Sequence, residues 1–293
     1  MKHKTIYIRQ ILLTVLMLLC IQINLFPQST DITTKEKPGL FLGLSLGPSQ
    51  SQILNKGTLS VSELLSSKKN SFFGSMEIGY FFSNYFGISS GIGLNSYSTQ
   101  LTLDTYQNKF NTTDSENEAY ERQVSGSDIK ELQKINFLSI PFCINLRLPF
   151  SGTIGFFLQT GVNMAVPVNK NYNSSGTFTY KGYYPAYNVL LENLPSYGFP
   201  SNIRSGTDGE LELKPLVVDA IASAGFDFYI QKKIQIAVAA SYNKSLSSIS
   251  EYSSPDKFQL SSDTDQINSL MGGSSKVSAQ SVGVRLSFRY YLH

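Results

Sequence analysis

From residue 39 onward the chain alternates apolar and polar positions with a period of two, in runs about as long as a tilted membrane strand requires. Eight segments share this pattern: 39–47, 71–82, 85–98, 134–148, 153–166, 216–229, 233–245 and 279–292. The first carries Leu40, Leu42, Leu44 and Leu46 on one face, and the last carries Val282, Val284, Leu286, Phe288, Tyr290 and Leu292. The opposite faces are rich in Gly, Ser and Asn with few charges, which suits a crowded polar lumen better than a solvated exterior. On the apolar faces no Asp, Glu, Lys or Arg interrupts the centre of a segment, where a single Arg or Lys at mid-bilayer costs about 2–4 kcal/mol.

The connections sort by parity. Residues 48–70, 99–133, 167–215 and 246–278 are long, whereas Ser83–Asn84, 149–152 and 230–232 are short. External loops of outer-membrane barrels grow freely while periplasmic turns stay tight. The pattern therefore predicts an all-β fold, an eight-stranded antiparallel up-and-down transmembrane β-barrel with long extracellular loops and short periplasmic turns. The last segment is expected to close the barrel, with both ends of the chain on the periplasmic side. Aromatics beside the short turns, among them Tyr80, Phe82, Phe86, Phe226, Phe228, Phe288 and Tyr290, read as a girdle at headgroup level, with Tyr242 in the outer one. In the second long connection, residues 115–133 are read as a short helix.

Composition narrows the class without changing it. Charged residues are sparse and aromatics are Phe and Tyr with no Trp, material for strands rather than long helices. Lys2, Lys4 and Arg9 precede the apolar run from Ile11 to Ile21, the layout of a secretory signal peptide. Residues 1–28 are read as signal, 29–38 as a periplasmic linker and 39–293 as the barrel domain. Cys20 falls within the signal after Leu19, where a lipidation site needs a small residue. Cys143 is then the one thiol of the mature chain, which leaves no internal disulfide and no cysteine metal cluster. Lys and Arg are scattered rather than clustered, so nucleic acid is not an expected partner.

Six charges fall on inward-facing positions: Glu77, Asp219 and Asp227, with Arg147, Arg285 and Arg289. They are expected to form an ionic network that packs the lumen shut, since charges in a filled barrel must pair to offset desolvation. Asp219 and Arg285 are expected to couple. The only histidines are His3 and His293, which removes the usual general base, and no acid pair marks a catalytic site. No enzyme activity, cofactor or metal is expected. The second long connection carries Asp104, Asp114, Glu116, Glu118, Glu121, Asp128 and Glu131 without calcium-loop spacing, and reads as a solvated face. The third is rich in tyrosine, and Tyr172, Tyr180, Tyr183, Tyr184, Tyr187 and Tyr197 are candidate contact residues. A loop folded over the barrel mouth that buries its own rings is the competing reading.

The stretch NFLSIPFCINLRLP, Asn136 to Pro149, resembles a strand motif of the PorT-like outer-membrane β-barrel family of Bacteroidota, and so does the hairpin GSMEIGYFFSNYFGISSGIGL from Gly74 to Leu94. The resemblance implies an integral outer-membrane barrel. It does not choose a process, since some relatives serve type IX secretion and others have no assigned role. The expected function is a structural or protein-interaction barrel, acting in surface binding or in assistance to an export system. A small-solute pore is the alternative, and a lipid-modifying enzyme the outsider. Expected partners are outer-membrane lipid and lipopolysaccharide, with a protein at the loops or the periplasmic side.

Overall fold

The computed structural model describes residues 39–56, 64–151, 153–230, 233–251 and 258–292. The signal peptide, the linker, Cys20 and both histidines lie outside them. Twelve strands follow in order: β1 (Leu40–Lys56), β2 (Leu65–Phe81), β3 (Phe86–Thr113), β4 (Ala119–Pro149), β5 (Ile154–Tyr184), β6 (Val189–Glu192), β7 (Ile203–Glu210), β8 (Val217–Ile230), β9 (Ile234–Ser245), β10 (Ser261–Asp263), β11 (Gln266–Ile267) and β12 (Lys276–Leu292).

Eight of them close an antiparallel ring in the order β1–β2–β3–β4–β5–β8–β9–β12. β12 returns to β1 with Leu40 opposite Leu292 and Lys56 opposite Lys276. Closure leaves no free edge at membrane depth, where an unpaired backbone group has no water to bond. Two of the tight turns are built alike. Ser83 Oγ accepts from the Phe86 amide at 3.2 Å, and Ser151 Oγ accepts from the Ile154 amide at 3.2 Å, so each serine side chain holds the chain reversal. Tyr80, Phe82 and Phe86 lie exposed next to the first turn with their rings in contact, as expected of a girdle.

The structure corrects the reading of the long connections. Residues 115–133 form no helix: β3 and β4 run on as one ladder from Thr99 opposite Gln133 to Thr113 opposite Ala119, and the turn comes only at 114–118. β5 continues beside them to Tyr184, and its upper half takes β7 and β6 as partners. The cause is a change of side in the alternation. On β3 the outward Phe86, Ile88, Ile92 and Leu94 are exposed, whereas further along the inward Tyr97, Leu101 and Leu103 are buried. On β4 the outward Leu138 to Leu148 give way to the inward Phe137, Ile135, Ile129 and Val124. Lipid lies outside the lower part of each strand and water outside the upper part, so the apolar face must swap while the strand itself continues.

Two apolar clusters follow from that swap. The lower closes the mouth of the barrel with Ile53, Tyr97, Phe137, Ala165, Val217 and Val277 from around the ring and Ile249 and Met271 of the last long connection. The upper cluster joins Leu101, Tyr106, Val124, Ile129, Phe178 and Tyr180 of the extended sheet to Leu260, Ile267 and Leu270 of the last long connection. Together they make a folded external domain with its own core.

Candidate functional site

Parity sends polar side chains of the lower strands inward, and register decides which of them meet. Glu77 on β2 and Arg289 on β12 both stand beside Gly43 of the strand between them. Their charged groups are 3.5 Å apart across it. A Cβ at Gly43 would lie 2.8 Å from the Glu77 side chain, so the missing side chain is what lets the pair reach over β1. The second pair repeats the device. Arg147 on β4 meets Asp227 on β8 at 3.0 Å, and a Cβ on Gly155 of the intervening β5 would lie 2.8 Å from Asp227 Oδ1. All four ionic residues are nearly or fully buried.

Amides and hydroxyls complete the layer. Gln159 Nε2 donates to Glu77 Oε2 and to Asn145 Oδ1, each at 3.0 Å. Ser45 Oγ donates to Glu77 Oε1 at 3.0 Å, Arg289 donates to Asn145 at 3.1 Å, and Gln235 donates to Asp227 at 2.8 Å. Arg285 donates to Gln159 Oε1. Beneath this layer, Phe41, Phe81, Tyr229 and Tyr291 form an aromatic floor, with Arg147 over the Tyr229 ring at 4.2 Å and Arg289 over Phe41 at 4.8 Å. A cavity of about 20 Å³ beside Arg285, Asn163 and Asn243 has room for about one water molecule. Five of the six predicted charges thus meet in one layer. Asp219 lies further up, buried opposite Asn163 and Ser245, and makes no ion pair with the other five. Sequence reasoning left Asn145, Gln159 and Gln235 unassigned, although each sits on an inward-facing position. Among the described residues no group of three or more His, Cys, Asp or Glu is arranged to hold a metal ion.

Three polar clamps fix the last long connection to the external sheet. Arg122, buried under the rings of Tyr180 and Phe199, bonds Asp263 at 2.8 Å and the Gly198 carbonyl at 3.2 Å. The Tyr180 hydroxyl lies 2.7 Å from Ser261 Oγ and donates to the Asp263 carbonyl at 3.1 Å. Glu131, fully buried, accepts from Ser269 Oγ and from the Leu270 amide at 2.7 Å each, and from Gln133 Nε2 at 2.6 Å. Burial pushes the Glu131 carboxyl up to about 7, against the pull of those three donors. Replacing Tyr180 by phenylalanine is expected to weaken this docking by about 1 kcal/mol, read as faster amide exchange across residues 260–267. Unchanged exchange would show that the hydroxyl does not hold the segment.

The tyrosines divide by position. Tyr180 is fully buried in the upper cluster, and Tyr172 packs partly against the lower one. Tyr183 and Tyr184 are half-buried; Tyr184 bonds Asp114 and stacks on Tyr120 at 5.1 Å. Tyr187 and Tyr197 are 60% and 73% exposed, beside exposed Val189, Leu190 and Leu194. These five lie at the turn from β5 to β6, on β6, and in the loop after it, β6 running back beside β5 with Glu192 opposite Lys181.

A family model described as outer membrane protein beta-barrel domain matches residues 32–251. No curated protein sequence matches the chain. Among solved structures, the chain is similar to Ail, the attachment invasion locus protein of Yersinia pestis, crystallised with the heparin analogue sucrose octasulfate, at 11% identity over 86% of this chain and 99% of that one, TM-score 0.29. It is similar to Neisserial surface protein A at 9% identity over 86% and 97%, TM-score 0.35. OprG from Pseudomonas aeruginosa shares 15% identity over 88% and 97%, TM-score 0.32.

Proposed function

This chain belongs to the outer membrane protein beta-barrel domain family and is integral to the outer membrane, and on that footing we propose that it is a non-enzymatic interaction barrel that presents its external domain to a protein partner at the cell surface. The observation that carries the reading is the exposed apolar and tyrosine side chains around β6. Tyr187, Val189, Leu190, Leu194 and Tyr197 are all exposed, within eleven residues of one another at the β5–β6 turn, on β6 and in the loop after it. Exposed apolar clusters of this kind mark contact sites, and tyrosine is favoured in them. Most large apolar side chains of the external domain are buried in its two clusters, with Leu65 a further exposed one, so this concentration of exposed rings and aliphatics stands out.

We read the chain further as PorT-like, of Bacteroidota origin, with lipopolysaccharide as its lipid neighbour. No observation favours a solute pore, since an aromatic floor, a bonded polar layer and an apolar mouth lie one above another in the lumen. Photo-crosslinkers placed singly at positions 187 and 197 in intact cells are expected to capture a discrete protein adduct, and one at the lipid-facing Tyr242 is not. Absence of adducts at both positions, together with unitary conductance in planar bilayers, would replace this reading by the pore.

A further inference from the structure

Two turns of the external domain meet beside the exposed side chains of β6, and the groups that join them are acids and tyrosines. Tyr187, in the turn after β5, donates to Glu118 at 2.6 Å, and Tyr184 donates to Asp114 at 3.1 Å. Both acids belong to the β3–β4 turn, residues 114–118, where Asp114 Oδ1 also accepts from the Glu116 and Glu118 amides at 2.9 Å each. The three acidic residues are thus tied into one turn. Their charge reaches the tyrosine. The bond from Glu118 and that carboxylate's charge, with smaller contributions from Glu116 and Asp114, hold the Tyr187 phenol above its ordinary value.

The charge of this corner is one-sided in the sequence itself. From Phe110 to Glu121 the chain carries Asp114, Glu116, Glu118 and Glu121 and no Lys or Arg, and from Gly182 to Ile203 it carries Glu192 and again no Lys or Arg. Lys109 and Lys181, which border these stretches, pair with Glu121 and Glu192. Arg122 is buried and bonded to Asp263. Asp114, Glu116 and Glu118 stand outside those pairings, next to Tyr187, and Val189 and Leu190 follow it exposed on β6.

An exposed aromatic ring edged with carboxylates is complementary to a cation on an apolar stem: the ring face attracts the charge, the acids neutralise it, and aliphatic neighbours cover the stem. The domain uses the same chemistry internally. The Arg122 guanidinium lies over the rings of Tyr180 and Phe199, at 5.1 and 5.6 Å, and meets the Asp263 carboxylate.

We propose that this face docks a basic segment of the partner protein, with an arginine or lysine against the Tyr187 ring, Glu116 and Glu118 and an apolar neighbour packed on Val189 and Leu190. The inference rests on the reading of the chain as an interaction barrel and gives the partner its chemistry. An acidic partner surface is repelled by the same carboxylates.

The test places a photo-crosslinker at position 190 in intact cells, which leaves Tyr187 and the acids in place, and sequences the adduct by mass spectrometry. The captured peptide is expected to carry Arg or Lys beside the linked position. Glu116→Gln with Glu118→Gln is expected to lower the adduct yield about tenfold. Glutamine at 118 can still accept from Tyr187, so the loss reads charge rather than a broken turn. Glu210→Gln with Glu212→Gln, exposed acids elsewhere on the domain, is expected to leave the yield unchanged. An acidic or uncharged captured peptide, or a yield that the 116/118 variant does not lower, would overturn the basic segment while the interaction barrel stands. If crosslinkers at 187, 190 and 197 all give no adduct, the interaction reading falls and this docking with it.

Discussion

Replacing Asp227 by alanine is expected to remove about 3–5 kcal/mol from the stability of the barrel in lipid vesicles, read as a lowered urea midpoint. The loss is large because of what remains behind. Arg147 keeps its charge in a site that is 3% exposed, and Gln235 loses the oxygen it donates to at 2.8 Å. Removing both charges together, as Arg147→Met with Asp227→Leu, is expected to restore most of the loss, because a buried pair offsets little more than its own desolvation. The two single changes should therefore couple strongly in a double-mutant cycle. Gly155→Val is expected to act in the same direction without touching either charge, since a Cβ there meets Asp227 and Arg147 at 2.8 and 3.1 Å. Additive effects of the two charge changes would mean that the pair is not a unit.

The second large effect is on the external domain and depends on pH. Burial under the docked segment pushes the Glu131 carboxyl up to about 7, and exposure on opening is expected to return it to the ordinary carboxylate value of 4.5. The docked state thus holds the proton more tightly than the open one, and docking is strongest below pH 4.5. As the pH rises to 7, proton release increasingly favours the open state, and about 3 kcal/mol of docking is lost across that window. Above pH 7 no further loss follows from this group. Amide exchange at Leu270 and Met271, corrected for its intrinsic pH dependence, should be markedly slower at pH 5 than at pH 8. Glu131→Gln should flatten that difference. Protection that is independent of pH in the native protein, or equally dependent on it in the glutamine variant, would remove Glu131 from this role.

The ring of eight strands was legible because outward Leu, Ile and Phe repeat every second residue with no charge between them, and because short turns separate alternate pairs. What was not legible is where each strand ends. Past Ser98 on β3 the outward residues become Gln100, Thr102 and Asp104, which resembles a loop if the apolar face is assumed to keep its side. Leu101 and Leu103 hold the alternation on the opposite face, and that reversal is the trace of the water boundary in the sequence. The lumen was half legible for a related reason. Parity identifies Glu77, Arg147, Asp227 and Arg289 as inward, but it says nothing of height. Which acid meets which base depends on the stagger of strands that are distant in sequence, and the glycines that admit the two pairs, Gly43 and Gly155, belong to neither partner's strand. Asp219 shares the parity and not the level.

The seam between β1 and β12 joins residue 40 to residue 292, so the first strand of the ring finds its second neighbour only after all the other ring strands have been delivered. By then the lumen has no passage for a folded body, with Phe41, Phe81, Tyr229 and Tyr291 across one end. A closed lumen of this kind is expected to admit the external segments, including the clamped stretch around Leu270, only as extended chain. The seam is thus the longest-range pairing of the ring and the one whose formation is expected to come late.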